Sequence, residues 1–185
     1  MPSHLSTGGG GEDLSRRVQE LENELTAGRR REGAIAEILR VIGRSPADLQ
    51  SVFNAIAKSA TQLCDAEDAG ASIFRRHGDQ LLLVAGYGPI SFAAIGEFSL
   101  PVVPGTVNGR SILEARTVHV ADLQSEDAEY PEGSEAARKF GHRTTLSVPL
   151  LLEGVAIGSI SLRRTKARSS PSHRSRCSRP SPRRR

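Results

Sequence analysis

The chain of 185 residues contains no tryptophan, two tyrosines and five phenylalanines, which leaves few flat side chains on which nucleic-acid bases could stack. Its only cysteines are Cys64 and Cys177. Two thiols are too few for a disulfide framework or a cysteine-based zinc site, and they suit a reducing cytosol. No apolar run approaches the roughly 18 residues of a membrane span, and the glycine-rich start Met1 to Gly11 lacks the apolar centre of a secretory signal. The histidines His4, His77, His119, His142 and His173 have no spacing that gathers metal ligands. The length allows about one core, since domains run roughly 100 to 150 residues. What remains is a soluble, cytoplasmic protein with no metal and no membrane segment.

Acidic residues are missing from one place in particular. Lys166 to Arg185 holds eight of the 25 Lys and Arg residues and no Asp or Glu, so the other 17 face 21 acidic residues in the body. The basic balance therefore belongs to a tail, and the body carries no basic footprint for nucleic acid.

Leu14, Val18, Leu21 and Leu25 recur at spacings of four, three and four among Glu, Arg, Gln and Asn, the pattern of a short heptad helix. It serves either as a solvated lead-in or as the seam of a parallel homodimer. Gly28 and Arg29 to Arg31 interrupt the pattern, which resumes at Ile35, Ile38, Leu39 and Ile42 and stops at Gly43. Ser45-Pro46-Ala47-Asp48 then reads as a cap, a first-turn proline and an acid facing the free N–H groups of a second helix. The stripe of that helix is Leu49, Val52, Phe53, Ile56, Ala60 and Leu63, with Cys64 as a small buried hydrophobe at its end.

After Gly70 the signal turns to strands. A hairpin is expected over Ala71 to Arg75 and Leu81 to Ala85, turning at His77-Gly78-Asp79. Gly86-Tyr87-Gly88-Pro89 breaks it, and a long Gly- and Pro-punctuated connection runs to Gly105. A helix over Val107 to Ala115, a strand over Val118 to Val120 and a helix over Ser134 to Phe140 follow. A second hairpin, Thr144 to Leu152 and Val155 to Leu162, turns at Glu153-Gly154.

These residues resemble a known family. Asn108-Gly109-Arg110-Ser111 to Ala115, then Thr117 to Leu123, then Tyr130-Pro131, are similar to the middle of a GAF domain. The hairpin RTTLSVPLLLEGVAIGSISL, Arg143 to Leu162, resembles the last two strands of that fold. The helices AEILRVIGRSPADLQSVFNAIAKSATQLCDAE, Ala36 to Glu67, resemble the leading helices of GAF domains in bacterial sensor kinases and nucleotide cyclases. The resemblance implies an α+β fold, an antiparallel sheet flanked by helices with a small-molecule cavity on one face, preceded here by the heptad helix. It divides the chain into a disordered start over 1–11, a coiled-coil helix over 12–33, the GAF domain over 34–165 and a disordered basic tail over 166–185.

The family fold closes with an amphipathic helix after its final strand, and the Arg, Ser and Pro of the tail cannot form one. With permitted codons read one base earlier, Ser170 to Pro182 can encode Phe-Thr-Glu-Pro-Gln-Ile-Ala-Leu-Leu-Glu-Thr-Phe-Ala, an amphipathic segment. A frameshifted, truncated product is thus expected; a natural disordered tail and a tail that binds nucleic acid are the alternatives.

The resemblance implies a regulatory module that binds a small molecule and modulates a histidine kinase or cyclase not present in this chain, with no catalytic residues and no cofactor named. Tyr87, Phe92, Phe98, Val103, Asp122, Tyr130, Phe140 and Arg143 are the residues expected to line the cavity. The opposing expectation is a collapsed pocket filled by Phe92, Phe98 and Phe140. Arg143 and Thr145 alternate with Thr144 and Leu146, so one pair faces the cavity and the sequence leaves open which. Two other readings stand beside the sensor: a relative of the free methionine sulfoxide reductases, which use several cysteines near the cavity, and a non-functional fragment.

Overall fold

The computed structural model describes residues 9–44, 48–63, 68–90 and 94–167. Helix α1 (Gly9–Arg44) and helix α2 (Leu49–Leu63) lead into a sheet of six strands: β1 (Ala69–His77), β2 (Gln80–Tyr87), β3 (Ser99–Pro101), β4 (Val118–Val120), β5 (Thr144–Leu152) and β6 (Val155–Arg164). Helix α3 (Val107–Leu113) precedes β4, and a 3-10 turn (Leu123–Ser125) and helix α4 (Pro131–Phe140) separate β4 from β5. The strand order is β3-β2-β1-β6-β5-β4 with antiparallel neighbours, the sheet expected of the family resemblance.

Both hairpins follow from local chemistry. Glu153 and Gly154 take φ of 51° and 82°, the left-handed pair that suits the right-handed twist of the strands they join. Gly78 has φ of 60° at the β1–β2 turn. One strand escaped the sequence reading: within the connection after Tyr87, Ser99 to Pro101 pairs with Leu82 to Gln80. Its three residues are too few to display alternation, and Pro101 is tolerated because β3 lies at the sheet edge.

Helix α1 also differs from expectation. It runs without interruption through Gly28 and Arg29 to Arg31 and across the 33/34 boundary, and it begins at Gly9, inside the segment expected to be disordered. One glycine costs a helix only about 1 kcal/mol, which the straight-chain residues around it offset. Of the tail, Lys166 and Ala167 are described, with Lys166 N–H and Thr165 Oγ1 donating to Asp68. Residues 168–185, like Ser45 to Ala47, Cys64 and Phe92, lie outside the described residues.

Two bulges decide which side chains face which layer. Ile73 pairs with Ala85 and Phe74 with Leu83, so Val84 is the extra residue; Leu150 pairs with Gly158 and Leu151 with Ala156, so Ile157 is extra. An extra residue switches the face of everything beyond it. On one face Ala71, Ile73 and Ala85 meet Ala57, with Phe53, Ile56, Ala60, Ile160 and Leu162 packed around them. Of the α2 stripe, Leu49 and Leu63 at the ends are exposed, and Ala57, absent from the expected stripe, is the most deeply buried. On the other face, Phe74, Leu81, Leu83 and Ala156 meet Ile112 of α3. Val107, Val118, Val120, Leu123, Tyr130 and Ala137 form a further cluster under α3 and α4.

Candidate functional site

The α3 side of the central strands is polar where a buried sheet is normally aliphatic. Alternation along β6 sends Ile160 and Leu162 toward α2, and Ser159, Ser161 and Arg163 the other way. Register then sets Ser147 and Ser72 beside Ser161 on the flanking strands, and Thr145 beside Arg163. All of these side chains are buried, Arg163 to 1 % exposure. Helix α3 is tied across this strip: Asn108 Nδ2 donates to Ser159 Oγ at 3.1 Å, and Ser111 and Ser147 share a hydroxyl hydrogen bond of 2.8 Å. Arg163 Nη2 donates to Ser72 Oγ. The hydroxyls of Thr145 and Ser161 have no hydrogen-bond partner among the described residues.

Two features hold α3 over the strip. Thr106 caps the helix, its hydroxyl accepting from Gly109 N–H at 2.9 Å. Gly109 lies so close to the preceding loop that a Cβ there would sit 2.3 Å from the Val103 carbonyl oxygen. Arg110 reaches outward, donating to the Pro104 carbonyl at 3.0 Å and the Glu129 carbonyl at 2.9 Å, and lies 4.1 Å over the Tyr130 ring.

At the end of the strip is a small cavity of about 20 Å³ bordered by Asn108, Glu132, His142, Thr145 and Arg163, with Leu100, Val107 and Ala136 among its apolar walls. That volume suits one water molecule. Burial pushes the Arg163 guanidinium down to about 9. His142 is pushed down to about 4, by burial first and by the Arg163 charge second, so its imidazole is neutral at pH 7. A larger, open groove of about 860 Å³ lies elsewhere, between α1, the end of α2 and the loop after β2, bordered by Arg30, Glu37, Gln62, Tyr87 and Pro89 among others. No group of three or more His, Cys, Asp or Glu side chains converges in metal-binding geometry among the described residues, and none of the described helices is long and apolar enough to cross a membrane.

The family profile described as "GAF domain" matches residues 46–175 of the chain. The chain belongs to the GAF family. Solved GAF-like structures share its fold at low identity. A methyl-accepting chemotaxis protein fragment (residues 122 to 287) is 19 % identical with a TM-score of 0.58, covering 74 % of this chain and 85 % of that one. The free methionine-R-sulfoxide reductase of Neisseria meningitidis, solved with its substrate, is 18 % identical with a TM-score of 0.55 and covers 78 % of this chain and 79 % of that one. The GAF domain of a phosphoenolpyruvate-protein phosphotransferase from Coxiella burnetii is 16 % identical with a TM-score of 0.55, covering 73 % and 79 %. No curated protein matches the chain.

Within this GAF domain the residues expected to line one cavity are dispersed. Tyr87 borders the large groove, and neither cavity is bordered by Phe98, Val103, Asp122, Tyr130, Phe140 or Arg143. Phe98 and Phe140 stack edge to face with centroids 5.7 Å apart, and Phe98 also meets Phe74 at 6.5 Å. Tyr130 is buried in the α3–α4 cluster. Asp122 and Arg143 pair with each other, Arg143 Nε donating to Asp122 Oδ1 at 3.0 Å. Val103 is half-buried in the turn before α3. Of the two pairs that alternate here, Arg143 with Thr145 and Thr144 with Leu146, Thr145 borders the small cavity and Arg143 is exposed before the strand begins. Arg163, His142 and Asn108 were not singled out as site residues by the sequence reading, although Ser159-Ile160-Ser161-Leu162-Arg163 alternates so regularly that it marks a strand with one polar face.

Proposed function

We propose that this GAF domain is a cytoplasmic sensory module whose ligand is a small polar molecule bearing an anionic group, received on the α3 side of the sheet at Arg163. The observation that carries this is the buried guanidinium at the rim of a cavity whose other polar walls are Thr106, Asn108, Thr145, a neutral His142 and the carboxylate of Glu132. A carboxylate or phosphate matches the planar donor fork of a guanidinium. The water-sized cavity must widen for anything larger, so binding is coupled to displacement of α4 or of the segment before α3. That displacement is what a regulatory module transmits. The output is a kinase- or cyclase-type effector outside this sequence, and the chain itself has no catalytic role.

A thermal-shift screen of small carboxylates and phosphates tests the reading. A hit raises the melting temperature of the wild-type chain, because it binds the folded state alone, and the shift shrinks in Thr145→Val. A screen in which no anionic compound stabilises the protein overturns it. Reductase activity toward free methionine sulfoxide that disappears in Cys64→Ser would place the chain with the enzymes of this fold instead. The arginine-rich composition after Thr165 is read as the product of a frameshift, and resequencing the gene checks it: an opposite frame that encodes no amphipathic helix contradicts it.

A further inference from the structure

The exposed apolar side chains of α1 keep one heptad register from end to end. Setting Val18 at position a places Leu25, Glu32 and Leu39 at a, and Leu14, Leu21, Gly28, Ile35 and Ile42 at d. Every large hydrophobic residue in this series is exposed, from 41 % at Ile42 to 68 % at Leu14, although the same helix half-buries Ala34, Ile38 and Val41 on a different side. Helix α1 thus has one face for its own domain and a second, about 40 Å long at 1.5 Å per residue, whose large side chains are exposed among the described residues. At Gly28, in the middle of that face, an added Cβ would meet no atom within 4 Å.

We infer that a second copy of this chain covers this face, paired parallel and in register along α1 from Leu14 to Ile42. The charges flanking the seam select the partner and its direction. In a parallel pair, each g residue meets the e residue five positions later on the other helix. Here Arg17 meets Glu22 of the partner subunit, and Glu24 meets Arg29 of the partner subunit, so the flanking charges are opposite in both successive heptads. The one charged core position, Glu32, has Arg31 of the partner subunit at the neighbouring g position. The pairing makes the Ile35, Leu39 and Ile42 segment, which lies beside the domain, part of the same interface as the projecting heptads. It rests on α1 alone and is independent of the ligand reading.

Homotypic disulfide trapping in the full chain tests this. In a Cys64→Ser/Cys177→Ser background, Leu21→Cys and Leu39→Cys are each oxidised, with Asn23→Cys on the outer face as control. Covalent dimer at both seam positions and little at Asn23→Cys is the expected result. Dimer at Leu21→Cys but not at Leu39→Cys confines pairing to the first heptads and overturns the inference, as does dimer at neither position. Sedimentation equilibrium gives a second readout. Arg17→Glu weakens the dimer roughly tenfold, and the double variant Arg17→Glu/Glu22→Arg restores it; a monomeric wild type at micromolar concentration, or no rescue, contradicts the pairing. Leu39 is exposed in the single domain, so Leu39→Asp should produce monomers that still fold, with a melting temperature that no longer rises with protein concentration.

Discussion

Thr145 stands directly opposite Arg163 across the β5–β6 ladder, and the two side chains border the same cavity. The Thr145 hydroxyl has no hydrogen-bond partner among the described residues. A buried hydroxyl in that position costs the fold about 1 to 3 kcal/mol. Thr145→Val keeps the shape and removes the hydroxyl, so the unfolding midpoint in urea should stay the same or rise, by up to about 1 kcal/mol in stability. Calorimetry on the same variant should show weaker binding of an anionic ligand. A variant less stable than wild type would mean that the hydroxyl is satisfied in the folded protein.

Acid should destabilise the domain before its carboxylates titrate. His142 is pushed from its ordinary 6.5 down to about 4 in the folded chain, so between those values the unfolded chain binds the proton and the folded one does not. Stability therefore rises with pH across that window and is lost as pH falls from about 6.5 to 4, by roughly 3 kcal/mol if the whole difference is expressed. Urea unfolding at a series of pH values checks this. His142→Gln should flatten the slope.

Much of the fold was legible because its elements obey local rules. The Glu153-Gly154 turn, the α2 stripe around Phe53 and Ile56 and the alternation of β5 and β6 each declare themselves within a few residues. The site did not, for physical reasons. Arg163 sits near the end of a strand, where an arginine usually reaches solvent, and only its register against Thr145 and Ser72 shows it to be buried. Tyr87, Asp122 and Arg143 look like cavity residues in a linear reading, but pairing across distant segments sends Arg143 to Asp122 and Tyr87 to another groove. The length of α1 was missed because Gly28 and three arginines disguise a heptad that continues in phase on either side.

Gly109→Ala tests how α3 is seated. The added methyl would lie 2.3 Å from the Val103 oxygen and 2.5 Å from its nitrogen, backbone atoms that cannot step aside without moving the loop. A loss of about 2 kcal/mol or more is expected, visible as a lower melting temperature. An unchanged melting temperature would show that the loop before α3 is loosely held.

The Asp122–Arg143 pair should matter little. Its side chains are 26 % and 44 % exposed, and exposed ion pairs contribute at most about 1 kcal/mol. A double-mutant cycle with Asp122→Asn and Arg143→Gln should give a coupling below that figure and fade in high salt. A larger coupling would assign this pair a structural role beyond the surface.

The location of the ligand is the claim on which the functional account turns, and amide chemical-shift mapping by NMR measures it directly. With any anionic compound that stabilises the chain, the largest shifts should fall on Asn108, Thr145, Ser161 and Arg163, around the α3 side of β5 and β6. Shifts gathered instead on Gly33, Gln62, Tyr87 and Gly88, in the groove bordered by α1 and the end of α2, would contradict the account and move the binding site to that groove.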